Sequence, residues 1–336
     1  MVNYAHLRQN VLFRAERFYF IPSLKLFFRV PFIHLIYDME KEKVFKSVSG
    51  HSLDDLKHYH DEAKNFFASE LMMLKEVIPK IIEERQAKAA VLLISCTQTG
   101  AALLLLLNQV DSFTNESIML SRSFMEKITN FCYVSICDEK EFRRFFLHPI
   151  YKHYHNVGSF KLGDAVDIDC LEENVESRKK KQEKLKNIAI VKEALELFSD
   201  KDSKMNWTKK TLNQRIEALE KWGKFMDFLF LLTKAYYYSN ASEALHGSLY
   251  GCSYNVGAFD PEFDRNKEGE LDKKLYKDSA CNLLHLGMLV HETFTLISYS
   301  AEINKLWSHS FENWRMASNL LYHILEKKIP GVDNKH

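Results

Sequence analysis

The chain has 336 residues and a hydrophobic fraction of 46%, which is enough for a well-buried core without disulfide or metal staples. Lys and Arg number 46 against 45 Asp and Glu, so the net charge does not single out nucleic acid or an acidic surface as a partner. The six cysteines include no CxxC pair, and we interpret them as reduced thiols of a cytoplasmic protein.

The first 50 residues are rich in basic and aromatic side chains, and we treat them as an N-terminal arm that precedes a helical domain at 51–330. Such an arm can stack on bases and neutralise phosphates. It can also dock its rings on the helical body or on a second subunit, which is the favoured interpretation because exposed aromatics this dense promote aggregation. We therefore expect a homo-oligomer or a protein partner, with residues 1–37 contributing to the contact.

Only 11 Gly and 6 Pro in this length leave few tight turns for an antiparallel sheet, and helical periodicity dominates the sequence. The pattern predicts an all-α, multi-helix bundle. Ser52 and Ser310 are predicted N-caps, and Gly251 and Gly257 are predicted to end a helix. The predicted helices cover residues 53–84, 87–110, 113–137, 139–147, 172–199, 209–220, 222–250, 272–305 and 311–328.

The stretch from Val91 to Val110 carries no formal charge and has the length of a membrane span. Polar residues such as Gln98 and Asn108 dilute it, and unsatisfied polar groups are costly in lipid. The sequence therefore favours a buried helix and no membrane partner.

Two helical stripes of polar residues stand inside apolar sequence, and their members recur three or four positions apart. Half-buried polar groups need partners, so we expect the two stripes to face each other, with Arg122 or Glu126 in reach of Ser242 or His246. Arg, Glu, Tyr, Ser and His are also the side chains of acid-base and phosphate-binding sites. The stripes are Arg122, Glu126, Asn130 and Tyr133 in one helix, and Tyr238, Ser242 and His246 in the other.

These residues also carry a resemblance. The order Leu-x-Arg-Ser-x-x-Glu at 120–126, followed by Tyr-x-x-x-Ser-Glu-x-x-His-Gly-Ser at 238–248, resembles a domain-of-unknown-function family of bacterial all-helical proteins. The resemblance covers a core region of about 85–250. Such families look akin to the HEPN group of helical bundles, whose members often dimerise, act as ribonucleases and occur in phage-defence and toxin systems.

The resemblance implies metal-independent cleavage or binding of RNA. Cleavage by the 2′-hydroxyl needs a base, an acid and a cation. His246 is then the expected base or acid, Arg122 the phosphate clamp and Glu126 the residue that orients Arg122. Ser242 and Tyr238 are expected donors around them, and Asn130 and Tyr133 are expected binding residues.

Two features of the sequence offer alternatives to this site. Arg143 and His148 fit the HEPN spacing of Arg, four to six residues, then His, and we rank them second because Pro149 places His148 near a predicted helix end. Arg122 with Glu126 can also be a surface ion pair, and His246 a core histidine bonded to Ser242.

Those structural interpretations favour a non-catalytic helical sensor or scaffold with a buried polar network, and a small-ligand pocket between helices is a third possibility. No Walker loop, GxGxxG, GxSxG, HExxH or zinc-type Cys/His spacing is present, so we expect no cofactor and no metal.

Overall fold

The computed structural model describes residues 50–156, 161–162, 166–167, 175–199, 206–222, 224–246, 248, 267, 269–297 and 301–325. Ser52–Ile324 form one compact unit, and the fold described below is that unit. The predicted arm lies outside the described residues except for Gly50. The expected role of residues 1–37 in a subunit contact therefore stays a prediction.

The described residues confirm an all-α, multi-helix fold. Extended structure among them is limited to an antiparallel pairing of β1, Lys161–Leu162, with β2, Val166–Asp167. The helices are α1 Leu53–Val77, α2 Glu84–Leu106, α3 Thr114–Ile136, α4 Glu139–Asn156, α5 Val175–Lys186, α6 Ala189–Leu197, α7 Leu212–Glu217, α8 Lys224–Thr233, α9 Ser239–Leu245, α10 Glu270–Phe294 and α11 Ala301–Ile324. Short 3₁₀ turns follow α1 and α7, and a π-helical turn, Lys234–Tyr238, joins α8 to α9.

The central element is α10, which packs against α1, α3, α8 and α11. Every residue from Ser279 to His291 is buried, so this helix is surrounded rather than amphipathic. Around it, α1 and α2 form an antiparallel hairpin, and α2 packs along α3. Phe67 of α1 and Phe124 of α3 meet edge to face, with ring centroids 5.5 Å apart, in the middle of this core.

Several helix boundaries differ from those predicted. We predicted that His148 lies near a helix end, and this is wrong. α4 continues through Pro149 to Asn156, so His148 lies inside the helix. α10 ends at Phe294 instead of 305, because the amides of Thr295, Leu296 and Ile297 donate to carbonyls three residues back and close a tighter turn. The region 172–199 is divided into α5 and α6.

The two predicted N-caps have different outcomes. Ser52 caps α1, and with Asp55 it forms a capping box in which each side chain accepts from the other residue's backbone amide. Ser310 lies in the middle of α11 and is not an N-cap. Gly251 and Gly257 lie outside the described residues.

Ser310 belongs instead to a buried polar network that ties α11 to α1 and α10. Its hydroxyl donates to Glu70 Oε2 at 2.6 Å and lies 2.7 Å from Nδ1 of His291. Asn313 donates to the other oxygen of Glu70 at 3.4 Å. Burial raises the pKa of Glu70 to about 8 and lowers the pKa of His291 to about 3. At neutral pH both groups are therefore uncharged within the core.

The helix α2 differs in part from the buried helix that we predicted. Its inner face, including Leu93, Cys96 and Leu103, is fully buried. Its outer face is exposed: Val91 is 60% and Leu105 is 73% accessible. Among the described residues, this is the one helix that is long and apolar enough to cross a membrane by length and composition.

Candidate functional site

The polar stripe of α3 occupies the side of the helix opposite its core face, as the 3.6-residue period requires. Phe124, Ile128 and Phe131 are fully buried on one side. Arg122 and Glu126 are half-buried on the other, next to the π-helical turn and α9. The stripe is therefore a seam between packed helices.

The guanidinium of Arg122 is the centre of this seam. Its Nε donates to Glu126 Oε1 at 3.1 Å, and one Nη donates to the Tyr238 hydroxyl at 3.1 Å. Its central carbon also lies 4.2 Å from the centroid of the Tyr238 ring, which is cation–π distance. The remaining nitrogen, Nη1, is buried and has no hydrogen-bond partner among the described residues.

Tyr238 is the member of the second stripe that meets the first. Its hydroxyl is hydrogen-bonded to Glu126 as well as to Arg122. Burial raises the pKa of Tyr238, and the hydrogen bond and charge of Glu126 raise it further, while Arg122 opposes them. The phenol is therefore a neutral donor at physiological pH.

Two further cations lie next to these side chains. Arg215 of α7 donates to the side-chain oxygen of Asn130 and lies within electrostatic range of Glu126. Burial lowers the pKa of Arg215, and the Glu126 charge opposes that shift. Lys234 lies 5.8 Å from the Tyr238 ring centroid and donates to Asn213. Glu126 is thus a shared partner of Arg122 and Arg215, and Lys234 joins the cluster through the Tyr238 ring.

Tyr133 lies farther along α3 and has a structural role. Its side chain is buried, its hydroxyl donates to Glu141 at 3.4 Å, and Lys210 covers its ring at 5.0 Å. It also lines a cavity of about 270 Å³. The cavity lining is Tyr133, Ile136, Cys137, Asp138, Lys210, Ala218 and Lys221.

The structure does not bring the other two predicted members into the cluster. Ser242 is half-buried, and its carbonyl accepts from the His246 amide at 3.1 Å. His246 is exposed at the end of α9, so it is not a core histidine. Within the part of the chain that is described, no hydrogen bond or ion pair joins Arg122 or Glu126 to either residue.

The second-ranked pair is divided between two environments. Arg143 makes a two-pronged ion pair with Glu193 of α6, at 2.6 and 2.5 Å. His148 packs in an aromatic cluster, with its ring centroid 5.2 Å from that of Phe198. Arg143 and His148 therefore have different partners, and the structure does not bring them together in one site.

Sequence reasoning missed Arg215 and Lys234. The capping box that begins α7, in which Thr211 and Gln214 exchange hydrogen bonds, is visible in the sequence as Thr-x-x-Gln. The helix that carries Arg215 was predicted within 209–220, and the capping box would have fixed its first residue. Nothing in the sequence around Lys234 indicates the π-helical turn on which it lies. Among the described residues, no group of three His, Cys, Asp or Glu side chains is placed to hold a metal ion.

Comparison with known families adds one match. Residues 86–263 match a family of unknown function, DUF5677. The chain belongs to the DUF5677 family. The DUF5677 segment begins in α2 and includes the whole Arg122–Glu126–Tyr238 cluster. It also agrees with the resemblance seen over residues 85–250. No curated protein and no solved structure matches the chain significantly.

Proposed function

We propose that this chain is a HEPN-like protein of bacterial defence or toxin type that binds RNA through the Arg122 cluster and cleaves it without a metal. The observation that carries the proposal is the guanidinium of Arg122. Glu126 and Tyr238 hold two of its nitrogens, and the third lacks a partner among the described residues. A fixed guanidinium with a spare donor suits a phosphate oxygen, and because this nitrogen is buried, the side chains that cover it must move when RNA binds.

The charge balance of the cluster supports the same ligand. The cluster holds three cations, Arg122, Arg215 and Lys234, against the carboxylate of Glu126 and, near Arg215, that of Glu141, so it has a net positive charge although the whole chain is close to neutral. A local cationic surface is what binding to a phosphodiester backbone requires.

In the proposed reaction the RNA 2′-hydroxyl loses its proton to a base and attacks the adjacent phosphate, and the bond from phosphorus to the 5′-oxygen breaks. The 5′-oxygen takes a proton from an acid, so the products are a 2′,3′-cyclic phosphate and a 5′-hydroxyl. Arg122 and Arg215 stabilise the charge that develops on the phosphate oxygens. Glu126 orients Arg122, and the neutral Tyr238 hydroxyl donates a hydrogen bond. His246, exposed at the end of α9, serves as the base or acid once substrate is bound.

Binding is tested by fluorescence anisotropy of labelled single-stranded RNA at several salt concentrations. We expect Arg122→Gln to weaken binding by about tenfold and to reduce the salt dependence by about one phosphate contact. The matched control is Arg85→Gln, which removes another half-buried arginine of an Arg–Glu pair, at a residue with no place in the candidate site. Equal effects of the two variants, or no binding by the parent chain, would refute the RNA site.

Cleavage is tested with the same RNA on denaturing gels, with EDTA present. We expect His246→Ala and Tyr238→Phe each to reduce the cleavage rate while RNA affinity stays within about twofold of the parent. Cleavage that disappears in EDTA would contradict the metal-independent mechanism.

The alternative is a non-catalytic sensor or scaffold subunit of a defence complex. It is favoured by one observation: most polar groups of the cluster already have partners within the chain, and His246 is not among them. In that case Arg122→Gln lowers the melting temperature, and the parent chain neither binds nor cleaves RNA.

A further inference from the structure

The outer face of α2 carries an apolar stripe that no described residue covers. Val91, Ile94 and Leu105 are 60%, 45% and 73% accessible. Apolar surface of this kind along one helix marks an interaction site. The inner face of the same helix is packed on α1 and α3, so the exposed stripe is not part of the hydrophobic core.

The exposed positions follow a heptad pattern. They alternate in steps of three and four along the whole helix, which is the spacing of a two-helix seam. The positions are Glu84, Ala87, Val91, Ile94, Gln98, Ala101 and Leu105 of α2 and Asn108 just beyond its end, and the exposed Lys88 flanks them. Within α2 the seam extends for about 32 Å at 1.5 Å per residue. A partner helix is therefore a better fit than a compact ligand.

We propose that this face binds the same face of a second copy of the chain, with the two α2 helices antiparallel. In the register that pairs residue 84 with residue 108, two of the three large apolar side chains meet an alanine. Val91 lies opposite Ala101 of the partner, and Leu105 lies opposite the partner's Ala87. In the central layer Ile94 lies opposite Gln98 of the partner. The alanine layers let the two helices approach closely without a clash.

Charge supports the antiparallel direction. Glu84 is the one charged member of the seam, where Lys88 of the same helix donates to it at 2.7 Å, and a parallel pairing would place both copies of Glu84 in one layer. The antiparallel register instead places Glu84 opposite Asn108 of the partner. In this structure Lys64 donates to Asn108 at 2.7 Å, so a lysine stands at the site that receives the partner's carboxylate.

A lipid bilayer fits this face less well than a second copy. The inner face of α2 is held by two other helices, and those helices carry charged side chains such as Lys64 and Lys127 close to it. Entry into a bilayer would bury these charges or break the core.

The test is the mass of the full chain in solution, measured by light scattering at micromolar concentration. We expect a mass twice the 39.4 kDa of one chain. Val91→Glu should reduce it to that of a single chain, since it places a charge inside the seam of each copy. The matched control is Met316→Glu, at a methionine of α11 that is 61% accessible, and it should leave the dimer intact.

A second variant tests the register. Val91→Glu combined with Ala101→Lys places opposite charges in the same layers of the antiparallel pair, and the dimer should return. A parent chain of single mass, a dimer unaffected by Val91→Glu, or a double variant that stays monomeric would overturn the proposal. Cosedimentation of the parent with phosphatidylcholine vesicles that is lost in Val91→Glu would overturn it in favour of lipid. Thermal melts of each variant establish that the fold is retained.

Discussion

Ser310 connects two ionisable groups that burial keeps neutral. Its hydroxyl serves Glu70 and His291 at once, and the three side chains come from three different helices. In a low-dielectric core, leaving a polar group without its hydrogen-bond partner costs more free energy than forming that hydrogen bond gains. The network therefore fixes how α11 sits on α1 and α10, and its value lies in specificity as much as in stability.

The substitution Ser310→Ala should lower the free energy of unfolding by about 1–3 kcal/mol, since it leaves Glu70 Oε2 and His291 Nδ1 without their shared partner. Urea denaturation measures the change. Ser308→Ala is the matched control, because that exposed serine bonds only to a carbonyl of its own helix at 3.0 Å. If both variants lose the same stability, the network has no special role.

The Tyr238 hydroxyl supports a similar prediction at the candidate site. Tyr238→Phe keeps the ring under the Arg122 guanidinium and removes only the hydroxyl that bonds to Arg122 and Glu126. We expect a loss of about 0.5–1.5 kcal/mol in unfolding free energy, which chemical denaturation would resolve. An unchanged stability would mean that water replaces the hydroxyl fully.

Residue patterns predicted part of this site. The Arg122–Glu126 pair follows from its spacing of four residues on one helix, and the contact with Tyr238 follows from the need of half-buried polar groups for partners. Ser242 and His246 were expected there too. The helix α9 ends at Leu245, so His246 leaves the helical face on which its spacing placed it.

Contacts between distant segments could not be predicted in this way. Ser310 and Glu70 are 240 residues apart, and the sequence around neither residue indicates a buried network. A serine before an aromatic and a glutamate also satisfies the rule for an N-cap, which is why Ser310 was placed at a helix start.

At the scale of the elements, α10 and α1 approach each other at a glycine. A methyl group on Gly287 would collide with the ring of Phe66 on α1. Helix propensity alone favours alanine over glycine by about 1 kcal/mol. For Gly287→Ala, packing is therefore expected to lower the stability while helix propensity raises it.

We expect packing to dominate, with Gly287→Ala destabilising the protein by about 1–3 kcal/mol in thermal or chemical denaturation. Phe66→Leu in the same chain should restore part of the loss by making room for the methyl group. A stabilising Gly287→Ala would show that the two helices separate more easily than their contact suggests.

The elements themselves were predicted better than their ends. Long apolar periodicity located α1 to α4, since burial of one face is what makes such helices stable. The turn at 295–297 was missed because the sequence there contains neither glycine nor proline. The π-helical turn at Lys234–Tyr238 was missed because its residues read as continuous helix.

At the scale of the whole molecule, buried ionisable groups determine how stability depends on pH. Burial lowers the pKa of His60 and His285 to about 4 and that of His291 to about 3, from an ordinary 6.5. Below pH 6.5 the unfolded chain therefore binds protons that the folded chain does not. The contribution of these three histidines to the free energy of unfolding therefore increases as the pH rises from about 4 to 6.5.

Glu70 and Glu292 have the opposite effect. Burial raises the pKa of each from 4.5 to about 8, so the folded chain keeps two protons that the unfolded chain has lost, and stability falls as the pH rises through that window. Three histidines against two glutamates place the maximum near pH 6.5. Urea titrations across this range should show it, and Glu70→Gln should reduce the decline between pH 6.5 and 8 by about half. A decline of unchanged size in this variant would assign it to other groups.

The position of α10 in the chain has a consequence for synthesis. It is surrounded by helices of which α1, α3 and α8 precede it, so the parts of their surfaces that pack on α10 have no partner until the ribosome has passed Phe294. At roughly 5–20 residues per second, the apolar surfaces of α1 and α3 wait for about ten seconds or more. Nascent chains stalled before Glu270 should thus remain protease-sensitive and bound to chaperones, and acquire protection together once α10 emerges.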